Sequence, residues 1–386
     1  MFIDNDLYFR GYYTVGDNKF TSKTAAVYES WRSNQPIKWH YHTEVFDSFY
    51  QQNPPHTLGK QSLESLYRER AQQLRDKYDY LILHYSGGSD SHNILMTFLN
   101  NNIKLDEVFN RRHDAIESKI YTPDPHNFSN SNFQSEWDYS ALPTIRWLAR
   151  THPEIKITTS TMFDTPVEQV LNDDTFAVAT HFPGMINLWR SQAVSPTERE
   201  LRFSGKSIAN ILGNDKPVIY KKENVCLMAF VDAGIPNPAI DSSNKESFYW
   251  SPDFPQLAFN QGYRVFQYYL EHPEHLWVIE KEAQLSETAA ARIRKDTITK
   301  HVIYPTTWDS SRFQTVQADS YSTHNSDFII ADKDRIFVDN PHFAKFYDRW
   351  LWYYRGYDIK NLREITPKIC TAGVYWMGNF PEVLTG

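Results

Sequence analysis

The stretch that decides the fold is YDYLILHYSGGSDS, residues 78–91, in which an apolar run leads directly into a turn rich in glycine and serine. The centre of the run, Leu81, Ile82 and Leu83, holds no polar residue, which is typical of a parallel strand buried on both faces. After the turn, HNILMTFLNNN (92–102) places apolar side chains on one side of a helix. The segment therefore predicts a strand, a tight turn and a helix in succession.

The alternation of strand and helix continues on both sides of this segment. Before it, residues 61–77 carry apolar positions at three- and four-residue spacing, which predicts an amphipathic helix. After it, the predicted elements are strands at 105–109, 155–159 and 207–213, with helical stretches around 135–150 and 165–204. Such alternation predicts the α/β class, with a doubly wound and mostly parallel sheet of the Rossmann type.

The chain divides by composition into three parts. Residues 1–60 carry short aromatic-rich runs broken by turn residues, which predicts an irregular, partly β N-terminal region. Residues 61–235 hold the alternating strands and helices and are expected to form the α/β domain. Residues 236–386 combine Pro-rich turns with aromatic helices, which predicts a mostly helical C-terminal region for substrate binding or assembly.

Composition excludes several classes of protein. A formal net charge of −7 argues against a general binder of nucleic-acid backbones. No stretch approaches the roughly 18 apolar residues that a membrane span needs, so no membrane partner is expected. The first residues, MFIDNDLYFRG, lack the basic and apolar regions of a secretory signal, so a cytoplasmic protein is expected. Cys226 and Cys370 form no CxxC pair, so the spacing encodes no zinc ribbon, iron–sulfur site or redox pair.

The turn has the residue types that bind a polyphosphate. The amides and the positive dipole at the start of a helix attract anions, and glycines let a phosphate approach and permit unusual dihedral angles. Serine hydroxyls can donate to phosphate oxygens, and a carboxylate can hold Mg²⁺. The alternative is an ordinary Gly-Ser turn with an Asp cap, but the strand before it and the helix after it favour the phosphate site. The candidate residues are Ser86, Gly87, Gly88, Ser89, Asp90 and Ser91.

Competing nucleotide motifs are missing from the sequence. No two glycines are separated by a single residue, so there is no GxGxxG loop for a dinucleotide or a kinase. Gly205, Lys206 and Ser207 match the end of a Walker A loop, but the position where its first glycine would stand is Glu200. The SGGSDS turn is therefore the motif on which a functional hypothesis depends.

SGGSDS after an apolar strand resembles the loop of the PP-loop ATP pyrophosphatases, the adenine nucleotide α-hydrolase superfamily that includes the synthetase domain of asparagine synthetase. The resemblance is strong over about residues 78–110 and looser out to about residue 232. It implies a PP-loop domain that takes ATP and Mg²⁺, with the turn on the pyrophosphate. It also implies an AMP-forming ligase, in which a carbonyl or carboxylate oxygen is adenylated and a nucleophile then displaces AMP, as in amide formation. The residues that the resemblance places beside adenine are His84, Tyr85, Phe109 and Asn110.

A second candidate is the turn GNDKP, residues 213–217, after the last predicted strand. Ligands bind beyond the carboxyl ends of the strands in an open α/β sheet, and the turn resembles a second acidic turn of asparagine synthetases. Asp215 could bind a second Mg²⁺, and Lys216 could neutralise the departing pyrophosphate. Lys206 and Lys221 are alternative cations for that role, and a plain polar turn is the alternative for the whole segment.

Several functional alternatives stay open. Thiolating relatives depend on cysteines, and an enzyme like phosphosulfate reductase needs one for which Cys370 is the available residue. Glutamine-hydrolysing asparagine synthetases need an N-terminal cysteine nucleophile, whereas position 2 is Phe2. A protein that binds nucleotide without turnover is the alternative outside the enzymes. The expected partner is a small-molecule or nucleotide substrate, and a homo-oligomer stays open.

Overall fold

The computed structural model describes residues 11–20, 23–112, 137–161, 195–213, 216–232, 244–282, 289–309 and 370–381. The strands are β1 (Tyr12–Val15), β2 (Asn18–Phe20), β3 (Ile37–His40), β4 (Tyr80–His84), β5 (Glu107–Arg112), β6 (Lys156–Thr161), β7 (Ile208–Leu212), β8 (Val218–Lys222), β9 (Val225–Val231), β10 (Asn244–Ser247) and β11 (Thr371–Asn379). The α-helices are α1 (Lys23–Ser33), α2 (Thr43–Gln52), α3 (Leu63–Lys77), α4 (Ser89–Asn100), α5 (Leu142–Thr151), α6 (Pro196–Leu201), α7 (Pro255–Glu271), α8 (Trp277–Glu282) and α9 (Ala289–Ile303). Within these ranges, no helix is both long and apolar enough to cross a lipid bilayer.

The central element is a parallel sheet with the strand order β10-β7-β4-β5-β6. The chain runs outward from β4 to β5 and β6, and then returns to the other side of β4 to form β7 and β10. This order is compatible with a Rossmann-like fold, in which the strand order reverses between β4 and β7. The predicted α/β class and its parallel sheet are therefore confirmed.

Both faces of β4 are buried, each in a different hydrophobic cluster. Leu83 belongs to the main core together with Leu95 of α4. Successive side chains of a strand point to opposite faces, and Ile82 accordingly packs in a separate cluster with Ile208, next to Leu201 of α6. Helices therefore cover both faces of the sheet at its centre, which agrees with the unbroken apolar run in the sequence.

Helix α3 delivers the chain to β4, as the sequence predicts. It begins after Ser62, whose hydroxyl accepts a hydrogen bond of 3.2 Å from the amide of Ser65. Glu64 lies in its first turn, and Arg75 and Lys77 lie in its last, which is the charge order that the helix dipole favours. The sequence predicts a start at residue 61, but the helix begins two residues later, at Leu63, because Ser62 is its N-cap residue.

The N-terminal part is more regular than the sequence indicates. Strands β1, β2 and β3 form an antiparallel sheet in the order β2-β1-β3, and α1 and α2 accompany them. Aromatic side chains hold this part to the rest of the molecule: the rings of Phe46 and Phe230 lie 4.5 Å apart, and the Tyr13 hydroxyl donates 2.8 Å to Asp232. The aromatic runs that predict an irregular region therefore supply buried packing between layers.

A second antiparallel sheet joins distant parts of the chain. Strands β8 and β9, which lie between β7 and β10 in the sequence, form a hairpin in this sheet. Strand β11, near the C-terminus, pairs with β9. Strand pairings thus cross the predicted boundary at residue 235, because β10 extends the parallel sheet and β11 extends the antiparallel one. The described part of residues 236–386 combines these strands with α7, α8 and α9.

Candidate functional site

The SGGSDS turn occupies the point in the sheet where the strand order reverses. It follows β4 at its carboxyl end, and α4 begins within it at Ser89. The neighbouring strand β7 pairs in parallel with β4, so its carboxyl end lies at the same edge. In open α/β sheets this crevice is where ligands bind. The predicted position of the turn is confirmed.

Hydrogen bonds within the turn hold its shape. The Gly88 amide donates to the Ser86 hydroxyl oxygen at 3.1 Å, and the Ser91 hydroxyl donates to the Gly88 carbonyl at 3.0 Å. The Ser86 amide and hydroxyl both face the Ser91 hydroxyl oxygen, at 3.3 Å and 3.2 Å. Ser86 itself is exposed to solvent, whereas Ser89 and Ser91 are buried. The two serines predicted to contact phosphate therefore pre-organise the turn, and of this pair Ser86 faces solvent.

The two glycines have different structural roles. Gly87 has φ +96°, and a Cβ there would lie 2.8 Å from the Cβ of Ala141 and 2.9 Å from its amide nitrogen. The Ser140 hydroxyl also donates to the Gly87 carbonyl, so the turn packs against the π-helical segment Trp137–Ala141 that precedes α5. Gly88 has φ −71°, which any residue adopts. The unusual dihedral angle predicted for both glycines is thus confirmed at Gly87 and wrong at Gly88.

The start of α4 is open to an acceptor from outside the helix. Gly88 occupies the N-cap position, and among the described residues no side-chain hydrogen bond is seen to cap the helix. The first amides of a helix have no partner within it, and a capping hydroxyl or carboxylate usually takes one of them. Because Gly88 carries no such group, this helix end has the features of an anion site.

Asp90 lies at the centre of the polar contacts. The Nζ of Lys216, which follows β7, lies 3.2 Å from both of its carboxylate oxygens. The Tyr304 hydroxyl donates 2.6 Å to Oδ1, and the Tyr249 hydroxyl donates 2.8 Å to the Asp90 carbonyl. The structure thus brings the two predicted turns together through Asp90 and Lys216. Asp215, the predicted second metal ligand, lies outside the described residues.

Helix α9 adds a second pair of charges that the sequence analysis missed. The Nζ of Lys216 lies 3.7 Å from Oδ1 of Asp296, whose other oxygen lies 2.5 Å from the Nζ of Lys300. Charges of alternating sign therefore run from Asp90 through Lys216 and Asp296 to Lys300, all of them largely shielded from solvent. The signal was the four-residue spacing of Asp296, Lys300 and Tyr304, which puts the three on one face of a helix.

The two tyrosines at Asp90 are held in their neutral form. Burial raises the pKa of Tyr304 far above its usual value, and the negative charge of Asp90 raises it further. The pKa of Tyr249 is raised by the same two causes. Both phenols therefore keep their protons over the physiological pH range and act as hydrogen-bond donors to Asp90.

His84, at the end of β4, belongs to a buried polar chain. Its Nε2 lies 2.7 Å from Oδ1 of Asn210 on β7, and Nδ2 of Asn210 donates 3.1 Å to Glu198 on α6. Because the side-chain nitrogen of Asn210 donates to Glu198, the atom of Asn210 that faces His84 is its side-chain oxygen, which is an acceptor. Nε2 of His84 therefore carries the proton. Sequence reasoning identified His84 but missed Asn210 and Glu198, because a polar pair buried between strand and helix has no local signature.

Of the other three residues predicted to flank adenine, Tyr85 directly follows β4, and Phe109 and Asn110 lie within β5 beside it. The side chains of Tyr85 and Phe109 are buried, with 1% exposure each. The Tyr85 amide donates to the Phe109 carbonyl at 2.9 Å, and Nδ2 of Asn110 donates 2.7 Å to the Tyr85 carbonyl. Oδ1 of Asn110 is buried and has no hydrogen-bond partner among the described residues. All three side chains are buried, and the adenine contact stays a prediction.

The alternative cations have other described neighbours. Lys221 forms an ion pair with Glu280 of α8. Lys206 precedes the amino end of β7, where Ser207 hydrogen-bonds to Asp79 at 2.9 Å, so it lies at the edge of the sheet opposite the turn. Lys216 is therefore the candidate cation that the structure brings to Asp90.

The two cysteines belong to the antiparallel sheet. Cys226 lies in β9 and is fully buried, and burial raises the pKa of its thiol. Cys370 precedes β11, and its amide donates 3.1 Å to Asp232. Both thiols are free and buried, and neither has a described contact with the SGGSDS turn.

Comparisons of the chain with protein-family models, curated proteins and solved structures found no match.

Proposed function

We propose that this chain is an AMP-forming ATP pyrophosphatase, with a PP-loop-type domain that binds ATP and Mg²⁺ and adenylates a small-molecule or nucleotide substrate in the cytoplasm. The observation that carries the proposal is the meeting of Asp90 and Lys216 at the reversal point of a parallel sheet. One residue comes from a Gly-Ser turn at a helix start, and the other from the turn after the neighbouring strand.

The donor groups at the turn suit a leaving pyrophosphate. The uncapped amides of α4 and the side-chain-free Gly88 favour close approach of an anion. Lys216 and Lys300 supply positive charge within the same cluster. Mg²⁺, when bound, would neutralise charge on the phosphates, and Asp90 is the carboxylate that would hold it.

The proposed reaction is a displacement at the α-phosphorus of ATP. A carbonyl or carboxylate oxygen of the substrate attacks that phosphorus, and the bond from it to the oxygen that bridges the α and β phosphates breaks. Pyrophosphate leaves with the bonding electron pair, and the substrate carries AMP. A nucleophile such as an amine then attacks the activated carbon, expels AMP and loses a proton, which gives an amide from a carboxylate and the corresponding nitrogen-for-oxygen substitution from a carbonyl. In this scheme Lys216 acts on charge that develops on the leaving group, where a pre-positioned donor is most effective.

The present contacts of Asp90 define what ligand binding must change. Lys216 and Tyr304 both use its carboxylate, so a metal ion at Asp90 competes with them. We infer that Lys216 turns from Asp90 towards the pyrophosphate when the metal and ATP bind, and that Asp296 keeps its ammonium group within the site. The same contacts also favour the second candidate, a protein that binds nucleotide without cleaving it, if the ion pair does not open.

The deciding experiment identifies the bond of ATP that breaks. The full chain is incubated with Mg²⁺, ATP labelled at the α phosphate, and fractions of a metabolite extract, and the products are separated by chromatography. The proposal predicts labelled AMP with an equal yield of pyrophosphate, and no such products from Asp90→Asn. ADP with orthophosphate would contradict it, since kinase-like sites act on the γ phosphate. Saturable binding without cleavage in any fraction would favour the non-catalytic alternative.

A further inference from the structure

A cluster of metal-ligating side chains lies at the end of α7, separate from the SGGSDS turn. The sequence there is EHPEH, residues 271–275. His272 is the C-cap residue of α7, and a 3-10 turn, Pro273–His275, follows directly. Pro273 both ends the helix and restricts the backbone between the two histidines. Three potential ligands therefore project from one short, rigid segment.

The three ligand groups converge in space. One ligand atom each from His272, Glu274 and His275 can be chosen so that all lie within 4.8 Å of one another. Nδ1 of His272 lies 3.2 Å from Oε1 of Glu274, and these two side chains are 44% and 61% exposed. Solvent exposure gives an ion a route to the cluster and gives the side chains room to adjust.

Tyr268, one turn earlier on α7, orients both imidazoles. Its hydroxyl lies 2.8 Å from Nδ1 of His275, and its ring stacks on His275 with an interplanar angle of 11°. Its ring centroid is 4.4 Å from that of His272. A hydrogen bond to one ring nitrogen of a histidine sets which nitrogen carries the lone pair, and metal-binding histidines usually have such a partner. When Nδ1 of His275 donates to Tyr268, the lone pair is on Nε2.

The simpler interpretation is a pair of surface histidines near a helix C-terminus, where cations are favoured. It accounts for the contact of His272 with Glu274, but not for the convergence of a second histidine that a tyrosine holds by both a hydrogen bond and stacking. We propose that His272, Glu274 and His275 form a binding site for Zn²⁺, with Tyr268 as its positioning residue.

The donor set determines the class of metal. Two imidazole nitrogens and one carboxylate oxygen suit Zn²⁺ and leave a fourth position for water, whereas Mg²⁺ prefers oxygen ligands alone. Bonds of about 2.0–2.1 Å hold the ligand atoms of a tetrahedral site about 3.4 Å apart. The ligand atoms lie within 4.8 Å of one another, so rotations about side-chain bonds are sufficient to bring them to that separation around the ion.

The test is a calorimetric titration of ZnCl₂ into the metal-free full chain in the absence of nucleotide. The expected result is one binding event that is lost in His272→Ala and in His275→Ala. Tyr268→Phe should retain the stoichiometry with about 10- to 100-fold weaker affinity, as is usual when the partner of a metal ligand is removed. His56→Ala is the matched control, because His56 is an exposed histidine in the comparable turn Pro55–Thr57, and it should bind Zn²⁺ like the parent.

Two further measurements separate a built site from general attraction of metal to histidines. Co²⁺ in place of Zn²⁺ should give visible absorption typical of a low-coordinate nitrogen and oxygen site, and Glu274→Gln should reduce that absorption. Zn²⁺ should also raise the unfolding temperature of the parent and of His56→Ala, but not that of His272→Ala. Equal Zn²⁺ affinity and stoichiometry in the parent, His272→Ala and His275→Ala would overturn the proposal.

Discussion

The ammonium group of Lys216 lies 3.2 Å from both carboxylate oxygens of Asp90, although 126 residues separate the two in sequence. The pair joins the turn after β4 to the turn after β7, so it bridges the point where the strand order reverses. The side chain of Lys216 is 8% exposed and that of Asp90 is 25% exposed. Removing one partner of an ion pair shielded to this extent leaves a buried charge unpaired, which destabilises the protein. Substitution of either residue is therefore a sensitive test of the site.

We expect Lys216→Met to lower the rate of pyrophosphate release by about 10²- to 10³-fold, because the donor to the leaving group is lost. Methionine keeps most of the side-chain volume, so packing around β7 should be little changed. The rate is measured by coupled pyrophosphate detection with the extract fraction that supports AMP formation by the parent. A larger effect on the rate than on the KM for ATP would indicate action in the transition state.

Lys206→Met is the matched control for that variant. Lys206 is an exposed lysine just before β7, at the edge of the sheet opposite the turn. It should retain the parent rate. A normal rate in Lys216→Met, or equal losses in both variants, would contradict the role given to Lys216.

Asp90→Asn should weaken the binding of Mg²⁺ and ATP together more than the binding of ATP alone. The amide cannot neutralise a metal ion, but it keeps the shape of the side chain and can still accept from Tyr304. Calorimetric titrations of ATP with and without Mg²⁺ separate the two effects. Equal affinity of the parent and the variant for Mg²⁺ with ATP would remove Asp90 from the metal site.

Gly87→Ala and Gly88→Ala should behave differently. At Gly87 a Cβ meets Ala141 at 2.8 Å and the backbone has φ +96°, so alanine there should lower the free energy of unfolding by about 1–3 kcal/mol. At Gly88 the backbone is ordinary, so alanine should cost about 1 kcal/mol or less while obstructing the approach of a phosphate. Urea unfolding and ATP titration of both variants test this. An unimpaired ATP affinity in Gly88→Ala would contradict the close approach.

Local sequence patterns predict four of the five strands of the central sheet and the position of the turn, but not β10, which lies in the region predicted to be mostly helical. An apolar run such as Leu81–Leu83 can be buried on both faces only in the middle of a sheet, and the strand before SGGSDS therefore had to be central. The location of GNDKP followed from the rule that ligand-binding turns lie at carboxyl ends of strands. The same rule predicts Lys216 as a site residue, whereas its contact with Asp90 is visible only in the structure.

The parts that the sequence did not reveal depend on contacts between distant segments. Tyr249 and Tyr304 reach Asp90 from positions more than 150 residues later in the chain. The sequence around Tyr249 carries no pattern that marks it as a polar anchor, and the four-residue spacing of Tyr304 with Lys300 and Asp296 does not indicate which segment that helix face contacts. Strand β11 shows alternating burial, with Tyr375 and Met377 inside and Trp376 outside. Glycines and register shifts interrupt this alternation; Gly373, for example, has φ +59°. The strand with which β11 pairs, β9, also lies far away in sequence.

A final prediction concerns the dependence of stability on pH at the edge of the parallel sheet. Glu246 of β10 accepts hydrogen bonds from Arg70 at 2.8 Å, Lys77 at 2.9 Å and Tyr78 at 2.5 Å. Burial alone would raise the pKa of Glu246, but the charge of Arg70 and these hydrogen bonds outweigh burial and hold the pKa below its usual value. The folded state therefore favours the ionised carboxylate.

The sign of the pH effect follows from that lowered pKa. A carboxyl group with a lower pKa in the folded state contributes its full stabilisation above the unfolded pKa of about 4.3, and loses it as the pH falls towards and through the folded pKa. Glu246→Gln, which leaves the charge of the buried Arg70 without its partner, should lower the free energy of unfolding at pH 7 by about 3 kcal/mol. The difference between variant and parent should shrink progressively below about pH 4.3.

Glu69→Gln, at an exposed glutamate of the same helix as Arg70, is the control and should follow the parent. Urea unfolding midpoints from pH 7 to pH 3 check this, and a difference that stays constant over that range would show that the ionisation of Glu246 does not contribute.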